Sequence, residues 1–341
     1  MFHSIDPNGY VAVVVLDGFS TLSLGSIIEP FSQLAKSFPE IAPRLVLAGL
    51  DGKSVRSKSG VMIECDEDAE ALIVRLGRGR TSASIIVCSD TEARIVEKTR
   101  LLSLLRLANR NGVSIYGVGG ATWLMAEAGI LKGGKGTVHW KSLAAFAEQC
   151  SDVCTEDSLF VSNGSVVSCA GELATLDMVL DIIGSISPQA AEATANQLLV
   201  SIPRRGNTSQ PGSQAHRLRN VPQILSDAVR VMAYNIEYPL QATQVAEKCG
   251  VSVRQLERSF QNHLSTSPMQ YYTQLRLEHA HNLTMQTNMT FLEVAVASGF
   301  GSTGVLTKNF ARRYGETPKQ RRQNTRRLHA NMGFQTRHPT G

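Results

Sequence analysis

One pattern occurs twice in the carboxy-terminal part of this chain, and it leaves little freedom over what that region can fold into. The first copy reads Val245-Ala246-x-x-Cys249-Gly250-Val251-Ser252, then Leu256, Arg258, Phe260 and Ser267-Pro268. The second reads Val294-Ala295-x-x-Ser298-Gly299-Phe300-Gly301-Ser302, then Leu306, Lys308, Phe310 and Thr317-Pro318. From the serine onward the copies are offset by 50 residues; before it the offset is 49, because the second turn holds one extra residue. A short helix, a glycine turn, a serine cap and a second helix describe a helix-turn-helix. Two copies describe a bipartite DNA reader.

Each position has a physical reason. Ala246 and Ala295 let the first helix of each unit approach the second closely. Gly250 and Gly299 permit the left-handed residue that ends the first helix. Ser252 and Ser302 stand where an N-cap is needed. Leu256 with Phe260, and Leu306 with Phe310, put one apolar stripe on each second helix. The opposite stripe carries Arg254, Glu257 and Arg258 in the first unit, and Thr303, Thr307 and Lys308 in the second. These six are the expected DNA-binding residues. A generic helical bundle with solvated charges is the bland alternative, and it does not account for the shared register.

The stretch from about Asn220 to Arg326 resembles the AraC/XylS transcription regulators, and "ASGFGSTGVLTKNFARRYGETPKQRR" resembles that family's signature. Leu306 replaces the usual aromatic, Lys308 the usual arginine, and Gln320-Arg321 the usual Tyr-Arg. Gly304 inside a recognition helix costs about 1 kcal/mol of helix propensity.

Charge divides the chain in the same place. Residues 1–202 carry 16 Lys+Arg against 22 Asp+Glu, net −6, whereas residues 203–341 carry 18 against 7, net +11. Nucleic-acid contact is therefore expected at one end only. No apolar run reaches the ~20 residues of a membrane span, and no secretory signal pattern is visible. The six cysteines, with no CxxC spacing, read as reduced core thiols in a cytoplasm. Cys150 and Cys154 lie one helical turn apart, but no histidine pair completes a metal site. No metal or cofactor is expected.

The first part alternates β and α patterns. Strands are expected at Val11–Val15, Arg44–Leu50, Ser84–Cys88, Val113–Val118 and Ser165–Cys169. Helices are expected at Ile27–Phe38, Arg94–Asn109, after Gly119-Gly120 through Ala128, and at Leu173–Ile183. Apolar runs separated by helices indicate an α/β doubly wound parallel sheet. The domain limits follow: 9–187 for the α/β domain; 188–219 for a closing helix, Ala190–Val200, and a Pro/Gly/Ser/Gln-rich linker, Pro203–Arg219; 220–326 for the all-α DNA-binding domain with its two units; 327–341 for a disordered tail. Between the two units, Met269–Gln286 reads as a long helix with Tyr272, Leu275, Ala280 and Leu283 inward, spacing the recognition helices by about one DNA turn, roughly 34 Å.

"DGFSTLSLGSIIEPF", "GVGGATWLMAEAGILKG", "GTVHW" and "VVSCAGELATLDMVL" resemble the PfpI/class I glutamine amidotransferase-like domain, which GlxA-like regulators fuse to an AraC-type domain. That resemblance implies a flavodoxin-like fold and a ligand-sensing, dimerising role. In the superfamily's enzymes a cysteine occupies the elbow after the strand equivalent to Val113–Val118. Here Gly119 stands in its place, and Ser23 stands where the regulators have aspartate. His139 would be a base without a nucleophile, so the chain is not expected to be an enzyme. A fused amidohydrolase is the alternative that the missing thiol argues against; a first domain serving only as a dimerisation scaffold is another.

The elbow keeps a second use. Ligands of parallel α/β sheets bind at the carboxyl ends of the strands, where N–H groups of Gly119, Gly120 and Ala121 suit a carboxylate. Trp123 offers an aromatic wall, with Glu29 and His139 as polar partners. A wall and a carboxylate together suit a cationic group, so the expected effector is a quaternary amine or amino-acid-like metabolite. The bland alternatives are a core Trp123, a structural His139, and a Glu29 that caps or pairs at the sheet end. The functional expectation is a cytoplasmic, homodimeric, effector-responsive transcription regulator that binds double-stranded DNA, and RNA polymerase if it activates.

Overall fold

The computed structural model describes residues 9–50, 52, 54–77, 83–90, 98–213 and 221–324, with 75–77 as backbone only. The chain divides into two compact units, Met1–Ser213 and Gln214–Gly341. The expected tail at 327–341, residues 214–220 of the expected linker, and the start of the helix expected from Arg94 lie outside the described residues.

The first unit runs β1 (Tyr10–Val15), α1 (Thr21–Ser37), β2 (Arg44–Gly49), β3 (Ser54–Arg56), β4 (Met62–Glu64), β5 (Glu67–Asp68), α2 (Ala69–Gly77), β6 (Ala83–Ser89), α3 (Lys98–Arg110), β7 (Ser114–Gly119) and α4 (Ala121–Glu127). It continues through β8 (Lys135–Gly136), α5 (Leu143–Gln149), β9 (Cys154–Thr155), β10 (Phe160–Asn163), β11 (Val166–Cys169), α6 (Ala174–Ile186) and α7 (Pro188–Gln197). Seven strands form one sheet in the order β10-β11-β7-β6-β1-β2-β5. All pairs are parallel except β10 with β11.

Alternation along β1 explains the two-faced core. Val11, Val13 and Val15 point to one face, where Ile27, Phe31 and Leu34 of α1 meet Val179 and Ile183 of α6. Ala12 and Val14 point to the other, with Leu72, Leu101, Leu105, Leu124 and Phe146. Period-2 side chains buried on both faces require helices on both faces. The chain goes from β1 outward to β2, then crosses to β6 on the other side, which puts the topological switch point at the carboxyl ends of β1 and β6.

Two expectations need correction. Helix α1 starts at Thr21, six residues before the expected Ile27, because Ser20 caps it by accepting the Ser23 N–H; "STLSLGS" reads as a loop by composition, and the cap decides otherwise. The segment expected as a linker is, over 203–213, a strap packed on the first unit. Arg204 pairs with the buried Asp177 at 2.6 Å. The Gly206 and Thr208 carbonyls accept the Phe160 and Leu159 N–H groups. Gln210, only 2 % exposed, donates to Thr137 Oγ1 and the Val138 and Ser158 carbonyls. A polar segment docked by buried hydrogen bonds leaves no apolar period to see, so composition alone suggests a linker.

The second unit runs α8 (Gln223–Tyr234), α9 (Ala242–Lys248), α10 (Val253–Leu264), α11 (Pro268–Gln286), α12 (Phe291–Ala297) and α13 (Thr303–Tyr314), and 318–324 is helical. Leu225, Val229, Val245, Leu256 and Phe260 form one core with Tyr272 and Leu275 from the first half of α11. Leu283, Val294, Ala295, Leu306 and Phe310 are buried in the second half-domain. Helix α11, 19 residues and about 28 Å long, joins them.

Candidate functional site

The two expected helix-turn-helix units are present: α9 with α10, and α12 with α13. Gly250 and Gly299 close the turns at φ 67° and 69°. Ser252 accepts the Gln255 N–H and Gln255 returns a bond to the Ser252 N–H. Ser302 accepts the Val305 N–H. Leu256, Phe260, Leu306 and Phe310 are fully buried. The opposite faces then point outward by helical geometry. Arg254, Glu257 and Arg258 are exposed on α10; Thr303 and Lys308 are exposed and Thr307 is half-buried on α13. Among the described residues Arg254, Arg258 and Lys308 make no ion pair, so their charges are unspent.

Two arginines that the sequence reading passed over hold the second unit. Arg276 of α11 donates Nε to the Ser298 carbonyl at 3.1 Å and Nη2 to the Gly299 carbonyl, and its guanidinium lies 4.4 Å from the Phe300 ring centre. It thus satisfies carbonyls that the end of α12 leaves without intrahelical partners. Arg322 donates to the Thr284 and Met289 carbonyls and covers the Phe291 ring at 4.6 Å. Gln320, a departure from the family signature, bonds back to the Thr317 N–H as Gln270 does to Ser267. The repeat therefore extends to the helix that follows each unit.

At the switch point of the first unit lies a polar cluster that only the fold assembles. Lys58 Nζ reaches Asp90 at 2.7 Å and Glu172 at 2.6 Å. Ser20 Oγ donates to Glu172 at 2.7 Å, and the Glu172 N–H donates to Ser23 Oγ at 2.8 Å. Burial alone would lower the Lys58 pKa, but the two carboxylates outweigh it and raise it. Ser23 is thus a structural partner of the turn after β11. His139 feels Glu172 and Asp90, but burial first and Lys141 second lower its pKa below the ordinary imidazole value.

Any side chain at the elbow would require this backbone to shift. Gly119 has φ 64°, and a Cβ there would lie 2.4 Å from the Ser89 carbonyl oxygen. Cys88 and Cys169 do not line a crevice; both are fully buried, and burial pushes each thiol up to about 12. A buried, protonated thiol neither meets substrate nor attacks it.

The expected ligand residues separate. Gly120 and Trp123 line a cavity of about 570 Å³ together with Asp90, Lys98, Glu127, Cys150 and Asp152. Trp123 stands edge-on to Phe146 at 5.0 Å. Glu29 is exposed on α1 and does not line this cavity. The Gly120 N–H, expected to face an anion, donates instead to the Ser89 carbonyl at 3.0 Å. The expected cradle therefore loses one of its three donors, while the aromatic wall gains Asp90 and Asp152, which lie far from it in sequence.

Comparison with known proteins agrees with both halves. Residues 10–185 match the DJ-1/PfpI family and residues 245–324 match a helix-turn-helix domain. The chain is 30% identical over 310 residues to the HTH-type transcriptional regulator CdhR of Pseudomonas aeruginosa, covering 91% of this chain and 90% of that one. It is 28% identical over 311 residues to the HTH-type transcriptional regulator GlxA of Rhizobium meliloti, covering 90% and 94%. A THiJ/PfpI family protein from Pseudomonas syringae shares the fold at a TM-score of 0.50 and 16% identity, covering 72% of this chain and 90% of that one.

Proposed function

We infer, from the premise that this chain belongs to the DJ-1/PfpI family and is a DNA-binding transcription regulator of the AraC type, that its first unit senses a small cationic metabolite. The observation that carries the reading is the cavity in which Trp123 stands with Asp152, the carboxylate there with no ion pair among the described residues, since Lys58 holds Asp90 and Lys98 holds Glu127. An aromatic face with a free carboxylate beside it favours a ligand that carries a quaternary ammonium or a basic side chain over one with no cationic group. The sterically closed elbow and the buried thiols support sensing without turnover. In the second unit, Arg254, Glu257, Arg258, Thr303, Thr307 and Lys308 are proposed to face DNA in two successive major grooves. A cytoplasmic homodimer, touching RNA polymerase where it activates, completes the proposal.

Thermal unfolding of the full chain tests the sensing role. The panel is glycine betaine, carnitine and arginine, with tert-butyl isosteres of the first two, which lose the cationic head and keep the carboxylate, as controls. A ligand at 100 times its Kd stabilises its target by about 2.7 kcal/mol. One charged member should raise the transition of the first unit, its isostere should not, and Trp123→Leu should remove the shift. A response equal for the isostere, or none across the panel, would contradict the cationic reading and leave the first unit as a dimerisation scaffold.

A further inference from the structure

The two recognition helices begin differently, and the difference falls on one residue. Most helix starts in the second unit close a reciprocal cap: Gln241 with Gln244, Ser252 with Gln255, Ser267 with Gln270, Thr290 with Glu293, and Thr317 with Gln320. Helix α13 does not. Its third position is Val305, which has no acceptor to return to the Ser302 N–H. The counterpart fifty residues earlier is Gln255, whose amide oxygen is held by Ser252. The Val305 side chain is 49 % exposed. A β-branched residue on an exposed first turn has a lower helix propensity than glutamine and gives up the box.

Its surroundings are bare. Gly304 stands where the first unit has Arg254, and Gly301 is the extra residue of the second turn. A Cβ on Gly301 would meet nothing within 4 Å, and one on Gly304 would meet only Ser302 Oγ at 3.8 Å. Space does not force either glycine. Together they leave one branched apolar side chain standing alone on the turn of the helix that reaches base edges. In the major groove thymine carries a methyl group, and apolar side chains read it by contact.

We propose that Val305 is a specificity-determining residue of the second unit, packing its methyl groups on the 5-methyl of a thymine that Gly301 and Gly304 leave it room to approach. The proposal rests on the reading of α13 as a major-groove helix. The first unit, with Arg254 in place of Gly304, reads by charge and hydrogen bonds instead.

The test uses duplex DNA selected by the full-length protein from a random pool. Each thymine is then replaced singly by uracil, which removes the methyl and keeps every hydrogen-bonding group. One thymine in one half-site should weaken binding about fourfold as uracil, the effect of one buried methyl. Val305→Gln should abolish that sensitivity while melting no lower than wild type, since it restores the cap partner present at Gln255. Val305→Ile should keep it. A uracil profile that is flat, or identical in wild type and Val305→Gln, overturns the proposal. So does a Val305→Gln protein that binds normally yet fails only in transcription, which would assign the side chain to a protein partner. Selection that yields no preferred sequence overturns the DNA-reading premise itself and is thereby distinguishable from failure of the Val305 assignment.

Discussion

The two helix-turn-helix units share a skeleton and differ in almost everything laid over it. Their cores match residue for residue, Leu256 with Leu306 and Phe260 with Phe310, all fully buried. Their turns do not. A Cβ on Gly250 would meet nothing within 4 Å, whereas one on Gly299 would lie 2.2 Å from the Ile236 carbonyl oxygen and 2.8 Å from Pro239. The second turn is pressed against the loop that follows α8 and clamped by Arg276 from α11. Their outer faces diverge further, with Arg254, Glu257 and Arg258 in one, and Gly304, Val305, Thr307 and Lys308 in the other. Duplication preserves what packs; what faces solvent is free to acquire separate tasks.

The comparison breaks most visibly at the turns. Gly250→Ala should cost about 1–2 kcal/mol, the penalty of left-handed backbone alone. Gly299→Ala should cost about 3 kcal/mol or more, because the backbone carbonyl it meets cannot swing away as a side-chain tip would. Far-ultraviolet circular dichroism during urea unfolding measures both. Tryptophan fluorescence serves as an internal control, since Trp123 and Trp140 both lie in the first unit. Equal losses would mean that the Ile236 contact is not a constraint.

Arg276→Met sharpens the same contrast with a smaller effect. It keeps most of the side-chain volume but strands the Ser298 and Gly299 carbonyls, at about 1.5–3 kcal/mol. The loss should appear as faster amide exchange over α12 and α13, with α9 and α10 unaffected. Uniform exchange across both units would show that α11 transmits the damage and that the clamp is not local.

The smallest effect lies at the helix ends. Helix α10 ends on Ser265 at φ 52°, where α13 ends on Gly315 at φ 77°. Ser265→Gly should stabilise by up to about 1 kcal/mol, and Gly315→Ser should destabilise by about as much. Melts that move the two variants in one direction would contradict the strain argument.

What sequence made legible tracks the range of the interactions. The turn glycines, serine caps and i, i+4 apolar pairs are local, so the second unit was readable in its own register. The parallel sheet was readable because apolar runs of strand length sit between helical stretches. The Lys58–Asp90–Glu172 cluster joins residues 32 and 114 positions apart, and no local pattern announces it. Arg276 sits in a helix with almost no polar periodicity and acts on a turn 22 residues downstream. The strap at 203–213 was hidden by its own composition, because Gln210 and Arg204 dock it through polar contacts. Helix α4 starts where the sequence places it, but that Ser89 takes one of the three N–H groups at its start is a tertiary contact no local pattern announces.

The central claim is that one chain engages DNA through two chemically different helices. Dimethyl sulfate interference on the selected duplex tests it most directly, because methylation at guanine N7 blocks arginine readout. Phosphate-ethylation interference on the same duplex should show two contact tracts centred one helical turn apart, about 10 base pairs. Guanine interference should be confined to the tract that Arg254→Ala and Arg258→Ala erase, at about 1–3 kcal/mol each. Lys308→Ala should weaken all sequences evenly and lower the salt slope by about 0.9. A single tract, or guanine interference that survives both arginine substitutions, would contradict the account.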